Sequence, residues 1–236
     1  MIKEYIAKAI HHWRILLEDK AFVISLIVGN IVFWGATAFQ MSVSAFLDES
    51  IQPSMQDRLL DLLPTLNLNF FFVYVFFSLI VLVAAYTIIV RPEKMPFLLK
   101  TYGILILTRT AFIVLTEVGP PVGVDPVFVS NSFEEFFFRN DLFFSGHTAV
   151  PFVAYLLYKD VWLGKVMLVG SIVMAATVLL MHVHYSIDVF AAPFIAYGVY
   201  SFSDEVFNHL NLRFHKRIKF YGWRTLKKKI QGPFHK

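Results

Sequence analysis

The sequence predicts an all-α, polytopic membrane protein built as a six-transmembrane-helix bundle, on three observations. Of its 236 residues, 57% are hydrophobic and only 16% are charged, against about 25% charged in a soluble domain. The apolar residues gather into runs on the scale of the roughly 20 residues that cross a bilayer as a helix. Lys and Arg collect at the two ends of the chain, where they set the orientation of a membrane protein. The 26 phenylalanines point the same way, since a soluble core of this size has no room for them. There is no cysteine, which excludes a disulfide framework, a thiol nucleophile and a thiolate metal site. No cleavable signal peptide is expected, because the first residues are mixed and basic and the apolar run after them is too long for a signal core.

Each element follows from the local pattern. Residues 1–20 read as a cytoplasmic amphipathic arm lying at the membrane surface. Uncharged sequence runs from Ala21 to Leu47 and opens with the first span. Residues 48–65 hold Asp48, Glu49, Asp57, Arg58 and Asp61 with two prolines, which makes a loop. The second span is Leu66 to Val90, closed by Arg91, Pro92, Glu93 and Lys94. The third runs from about Pro96 to Val118 and contains Lys100 and Arg109. A long loop follows from Gly119 to Phe144, with an aromatic, acidic stretch at 133–138 suited to the interface. Span four covers about Ser145 to Tyr158, span five Val166 to Val183 and span six Asp188 to Val206. The membrane catalytic domain is therefore 21–206, and 207–236 is a basic cytoplasmic tail.

Charge supplies the orientation. The arm carries Lys3, Lys8, Arg14 and Lys20, and the tail carries nine Lys and Arg between Arg213 and Lys236. Both termini are thus expected in the cytoplasm, which requires an even number of spans. The basic turns at 91–94 and 159–165 fall inside, and the acidic loops 48–65 and 119–144 fall outside. Beside a membrane the basic tail reads as a topological anchor favouring anionic lipid rather than as a nucleic-acid surface.

Two segments carry chemistry. One is Asp141-Leu142-Phe143-Phe144-Ser145-Gly146-His147-Thr148, leading into span four. The other is His182-Val183-His184-Tyr185-Ser186-Ile187-Asp188, leading into span six. Six spans put both at the outer membrane boundary, and that topology came from Lys and Arg alone. Ionisable residues at membrane depth are costly and usually functional. A Ser-Gly-His turn at a helix start offers backbone N–H groups and a positive dipole end to a phosphate. His184 and Asp188 are spaced i, i+4 and share a helix face. A carboxylate on one ring nitrogen fixes the tautomer and leaves the other free to attack, while His147 is available to protonate a leaving oxygen.

These motifs resemble the last two conserved motifs of the sphingomyelin synthases. That branch belongs to the type-2 phosphatidic acid phosphatase superfamily of lipid phosphatases and phosphotransferases. The resemblance covers about residues 100–200. A third element lies at Tyr102 through Pro121, where Arg109 and Gly119-Pro120-Pro121 are similar to the family's arginine-containing motif. The resemblance implies His184 as nucleophile, Asp188 as its partner, His147 as general acid and Arg109 as a phosphate contact. It further implies a phospho-histidine intermediate with no metal or other cofactor, on the extracytoplasmic face. Its partners would be a phospholipid donor and a lipid-alcohol acceptor such as ceramide or diacylglycerol; the alternative acceptor is water. Ser145, Gly146, Asp141 and Tyr185 complete the expected substrate-binding set, with Asp141 equally suited to capping the fourth helix. His182 is open between supporting the site and a purely structural part.

The departures are informative. The family's Cys-Gly-Asp opening reads Arg139-Asn140-Asp141 here, so only the aspartate is kept. Thr177-Val178 stand where the phosphatase branch has Ser-Arg, which favours the transferase branch. Arg91-Pro92 is similar to the phosphatase branch's Arg-Pro element, but it lacks the upstream lysine (Ala84) and falls on the cytoplasmic side.

Overall fold

The computed structural model describes residues 2–47, 53–116, 118–121 and 143–210, and every regular element among them is helical. In chain order these are α1 (Ile2–Leu17), α2 (Lys20–Leu47), a 3₁₀ turn (Leu60–Leu62), a π-helical turn (Phe70–Val75) running into α3 (Phe76–Val90), a second 3₁₀ turn (Pro92–Lys94), α4 (Met95–Thr116), α5 (Gly146–Tyr158), α6 (Trp162–Leu180) and α7 (Ser186–Leu210). The basic tail, the aromatic stretch 133–138 and Asp141 lie outside the described residues.

The break between α1 and α2 has a local cause. Asp19, the residue immediately before α2, accepts from the Ala21 N–H at 2.8 Å, so a carboxylate caps the new helix. α2 then lies along α4, and glycines bring the two backbones together. A Cβ on Gly103 would meet the Val32 Cγ1 at 2.7 Å and the Val32 backbone at 3.0 Å, and one on Gly29 would meet the Pro96 carbonyl at 3.0 Å. Such close approach through small residues is how helices pack where water supplies no driving force. The outward face of α2 shows Ile24, Ile27, Ile31 and Trp34, which suits a lipid environment.

Four helices are long and apolar enough to cross a membrane, namely Lys20–Phe46, Phe70–Val90, Pro92–Thr116 and Trp162–Leu180. Their number fits an integral membrane protein. The other two expected spans are also helical but differ in kind. α5 has only 13 residues, about 20 Å at 1.5 Å per residue, against a hydrocarbon core of about 30 Å. It is packed against α6 and α7, with Ala149, Val153 and Ala154 wholly buried, so its surroundings are protein. α7 has 25 residues but includes Asp188, Asp204 and Glu205.

The boundaries also move. The second helix begins near Asn69 and Phe70 rather than at Leu66; residues 66–68 precede it, with the Leu66 N–H donating to the Leu180 carbonyl at 2.8 Å. The fifth helix starts at Trp162, four residues before the expected Val166, where extended Val161 ends the preceding turn. It stops at Leu180 in a Schellman motif: the Val183 N–H reaches the Val178 carbonyl and the His182 N–H the Leu179 carbonyl. The sixth helix extends past both expected ends, from Ser186 to Leu210.

The bundle has two distinct ends. At one, α1 meets the end of α3 and the 91–94 turn: the Trp13 Nε1–H donates to the Ile88 carbonyl at 2.8 Å and His12 Nε2 lies 3.9 Å from Glu93, while Lys94 Nζ donates to the Leu157 carbonyl at 2.7 Å. At the other, residues 53–66, 119, 144–147 and 180–188 come together. Both sequence motifs lie at this second end, and Arg91-Pro92 lies at the first.

Candidate active site

The site grows from the start of α5. Ser145 is the residue before the helix, with extended backbone (φ −66°, ψ 114°), and its carbonyl accepts from the Ala149 N–H at 2.9 Å. Its own N–H donates to the Asp188 carbonyl at 3.1 Å, so one backbone hydrogen bond joins the two motifs. The Ser145 hydroxyl makes no capping bond, and Oγ is buried with no hydrogen-bond partner among the described residues. The first N–H groups of a helix have no partner within it, so this turn presents donors as well as the positive end of the helix dipole.

Gly146 is required by close approach. A Cβ there would stand 3.2 Å from Arg109 Nη1 and 3.4 Å from Cζ. The Arg109 guanidinium therefore lies across the α5 N-terminus, held in part by donation from Nε to the Phe144 carbonyl at 3.3 Å. α4 delivers this arginine from a position two turns before its C-terminal end.

His147 points into an aromatic cradle. Phe72 stacks on its ring at 4.1 Å between centroids, and Phe76 leans on it at 4.3 Å. Phe72 lies in the π-helical turn at Phe70–Val75 and Phe76 opens α3 four residues on, so both rings fall on one face, and such turns recur at functional sites. His184 and Arg109 both lie near enough to His147 to act on its charge. Pro151 stands one turn along α5 and has no N–H to offer the His147 carbonyl. The next carbonyl, that of Thr148, is taken by the Ser171 hydroxyl at 2.8 Å.

The second motif is a tight turn between α6 and α7. His184 Nδ1 faces Asp188 Oδ2 at 3.4 Å, and the same oxygen accepts from the Tyr185 N–H at 3.1 Å. The i, i+4 pairing expected from spacing is thus present. Fractional exposure is 0% for Ser145, 2% for His147, 4% for Asp188, 5% for His184 and 7% for Arg109. Five polar side chains this deeply buried and this close together are the main expense of the fold, and such groups are kept where chemistry needs them.

Tyr185 was expected among the substrate-binding groups. Its hydroxyl donates to the Gly119 carbonyl at 2.8 Å and accepts from the Met55 N–H at 2.9 Å, so the ring fastens two loops to the motif. This also places Gly119 at the site end. His182 adopts a left-handed backbone (φ 54°), the conformation of the residue that closes a Schellman motif. Its Nδ1 meets the Thr65 hydroxyl at 3.4 Å, which gives it a structural part at the α6 terminus.

Sequence reasoning missed Asp57, Phe72 and Phe76. Asp57 Oδ2 accepts from the Ser186 N–H at 2.6 Å, and Oδ1 accepts from the Ser186 hydroxyl at 2.9 Å. Burial pushes this carboxyl up, but the bonds from Ser186, Leu60 and Leu59 outweigh it and hold the group below its ordinary range. Among the described residues, no three His, Asp or Glu side chains gather as a metal-holding group.

Chemically, the arrangement offers an imidazole–carboxylate pair, a second imidazole, a guanidinium and a helix N-terminus at one end of the bundle. No curated protein and no solved structure matches the chain. Residues 140–205, which include both motifs, match the family described as PAP2 superfamily C-terminal. The match supports the type-2 phosphatidic acid phosphatase superfamily, whose members act on lipid phosphoesters, as the family of this segment.

Proposed function

We propose that this protein is a lipid phosphotransferase that moves a phospho-head group from a phospholipid to a lipid alcohol through His184. The observation that supports this reading best is the buried convergence of His184–Asp188, His147, Arg109 and the α5 N-terminus. Because Nδ1 faces Asp188, Nε2 is the nitrogen left to attack phosphorus. As the N–P bond forms, the bond from phosphorus to the leaving alcohol breaks, and His147 gives that oxygen a proton. In the second half, an acceptor alcohol attacks phosphorus, its proton passes to His147 and the N–P bond breaks. Arg109, the Ser145 hydroxyl and the first N–H groups of α5 hold the non-bridging oxygens and take up charge in the transition state.

Charge favours a diester donor over a monoester. Arg109 is the only buried arginine or lysine at this end among the described residues, and one guanidinium balances the single charge of a phosphodiester. The position where the phosphatase branch has a second arginine holds Val178, wholly buried against Phe72, Met181 and Val189. Phospholipids with a substituted head group are diesters, so sphingomyelin synthase-like transfer to ceramide or diacylglycerol is the preferred reaction. Hydrolysis, with water as the acceptor on a lipid phosphate or a phosphodiester, is the second reading.

The Lys and Arg distribution supports six spans with both termini cytoplasmic and the site extracytoplasmic. The clustering of α1 with the 91–94 turn, away from the site, agrees with it. The test is purified protein in mixed lipid with a head-group-labelled phospholipid, with and without ceramide or diacylglycerol. A new labelled lipid that depends on the added alcohol is the expected product. Release of a water-soluble phosphoester alone would replace transfer by hydrolysis.

A further inference from the structure

We propose that Asp57, in the loop between α2 and α3, is a positioning residue for the His184–Asp188 pair. The proposal rests on the assignment of His184 as nucleophile, and it starts from how α7 begins. The Tyr185 carbonyl accepts from the Asp188 and Val189 N–H groups at 3.1 and 3.3 Å, which makes Tyr185 the residue before the helix. A residue there is ordinarily Ser, Thr, Asp or Asn, whose side-chain oxygen takes up an early helix N–H. Tyrosine cannot do this, and its hydroxyl is engaged elsewhere with Gly119 and Met55.

Asp188 stands three residues into the motif and does half of a capping box, accepting the Tyr185 N–H on Oδ2 at 3.1 Å. That same oxygen serves His184 Nδ1. Were Asp188 also drawn to the Ser186 N–H, its carboxylate would turn away from the imidazole. Asp57 removes that competition from 129 residues away, taking the Ser186 N–H on one oxygen and the Ser186 hydroxyl on the other. It is a cap supplied by another part of the chain.

A purely local reading of Asp57 is available, since Oδ1 also accepts from the Leu59 and Leu60 N–H groups at 3.0 and 3.2 Å. That turn engages only one oxygen. The shortest of the four bonds, 2.6 Å, goes from Ser186 to the other. Ser186 sits midway between His184 and Asp188, so a shift of its backbone moves both members of the pair. The Met55–Tyr185 bond adds a second fastener from the same loop to the same turn.

The experiment compares full-length wild type, Asp57→Ala, Asp57→Asn, Ser186→Ala and His184→Ala in mixed micelles. The probes are phosphatidylcholine, phosphatidylethanolamine and phosphatidic acid radiolabelled at phosphorus, each with ceramide and diacylglycerol present as acceptors. In parallel, diethyl pyrocarbonate, which modifies neutral imidazole, is read at His184 by mass spectrometry. Asp57→Ala is expected to lower kcat per folded molecule by about 10- to 100-fold, since displacements of the order of 1 Å cost that much. KM should stay within about twofold, because binding groups are untouched. His184 modification should become several-fold faster as the pair loosens.

Asp57→Asn, which keeps an acceptor for the Ser186 N–H, should recover most of kcat. Ser186→Ala, which removes only the hydroxyl bond, should lose less than Asp57→Ala and tests the contact should the alanine variant fail to fold. Unchanged kcat and unchanged His184 modification in Asp57→Ala overturn the proposal, as does an asparagine variant no better than alanine. If wild type turns over none of the three lipids, the proposed function fails, and the modification rate alone then decides the role of Asp57.

Discussion

The two ends of the bundle use charge in opposite ways. At the α1 end, Arg91 (35% exposed) meets Glu93 (19%) at 3.3 Å, and His12 (18%) meets the same Glu93 at 3.9 Å. At the site end, His184, Asp188 and Arg109 are each at most 7% exposed. Half-buried pairs of the first kind are still reached by water and salt, which screen them and keep their contribution to stability modest. Buried groups of the second kind cost free energy unless geometry compensates them, so their retention marks a use. The same residue types therefore form half-buried turn contacts at one end and a deeply buried cluster at the other.

Substitutions can widen or erase that contrast. The largest effect is expected at His147, where alanine should slow transfer from a natural phospholipid by about 10²- to 10⁴-fold, the range for loss of a general acid. A substrate with a nitrophenol leaving group, which needs no proton, should recover much of the rate. Equal loss on both substrates would remove His147 from that role. Next comes Gly146→Ala, whose Cβ would press on the Arg109 guanidinium. Turnover should fall by about 10-fold or more with little change in thermal stability, read by activity and melting curves side by side.

A smaller effect separates two variants of His182. His182→Ala keeps the left-handed strain and loses the ring, whereas His182→Gly loses the ring and relieves the strain. The glycine protein should be the more stable by about 1 kcal/mol, despite removing more atoms. The reverse order in chemical denaturation would contradict the helix-terminating assignment. Smallest of all, Glu93→Gln at the opposite end should cost less than about 1 kcal/mol and leave turnover unchanged, while a large loss of activity would dissolve the contrast between the ends.

The sequence made the fold class legible because apolar run length is a one-dimensional signal. All six expected segments are helical, and most boundaries fall within a few residues. What escaped was decided by contacts distant in sequence. Leu66 and Leu68 extend the apolar run ahead of the helix, but Leu66 gives its N–H to Leu180 and ties that end of the segment to α6. The count of spans is also left open by length alone, because α5 is short and enclosed by other helices.

The site divides in the same way. His184 and Asp188 were readable because an i, i+4 spacing is local. His147, Gly146 and Arg109 were readable from motif chemistry and from the resemblance. Asp57 was not, since its partner lies 129 residues away and an aspartate in an acidic loop looks like any other. Phe72 and Phe76 were hidden among 26 phenylalanines, with nothing in their spacing to tell a cradle for His147 from a lipid-facing stripe. For Tyr185 the motif gave the position but not the direction of the hydroxyl.

The central claim is that His184 carries the phospho-head group between two lipids. Its most direct measurement is acid-quench-free trapping of the labelled enzyme after brief exposure to a phosphorus-labelled phospholipid, followed by mapping of the modified residue by mass spectrometry. The account predicts an acid-labile, base-stable adduct on His184 that appears in wild type, accumulates when acceptor is withheld and is discharged by ceramide or diacylglycerol. A fully active wild type that forms no adduct, or a His184→Ala protein that transfers the group at the wild-type rate, would contradict it.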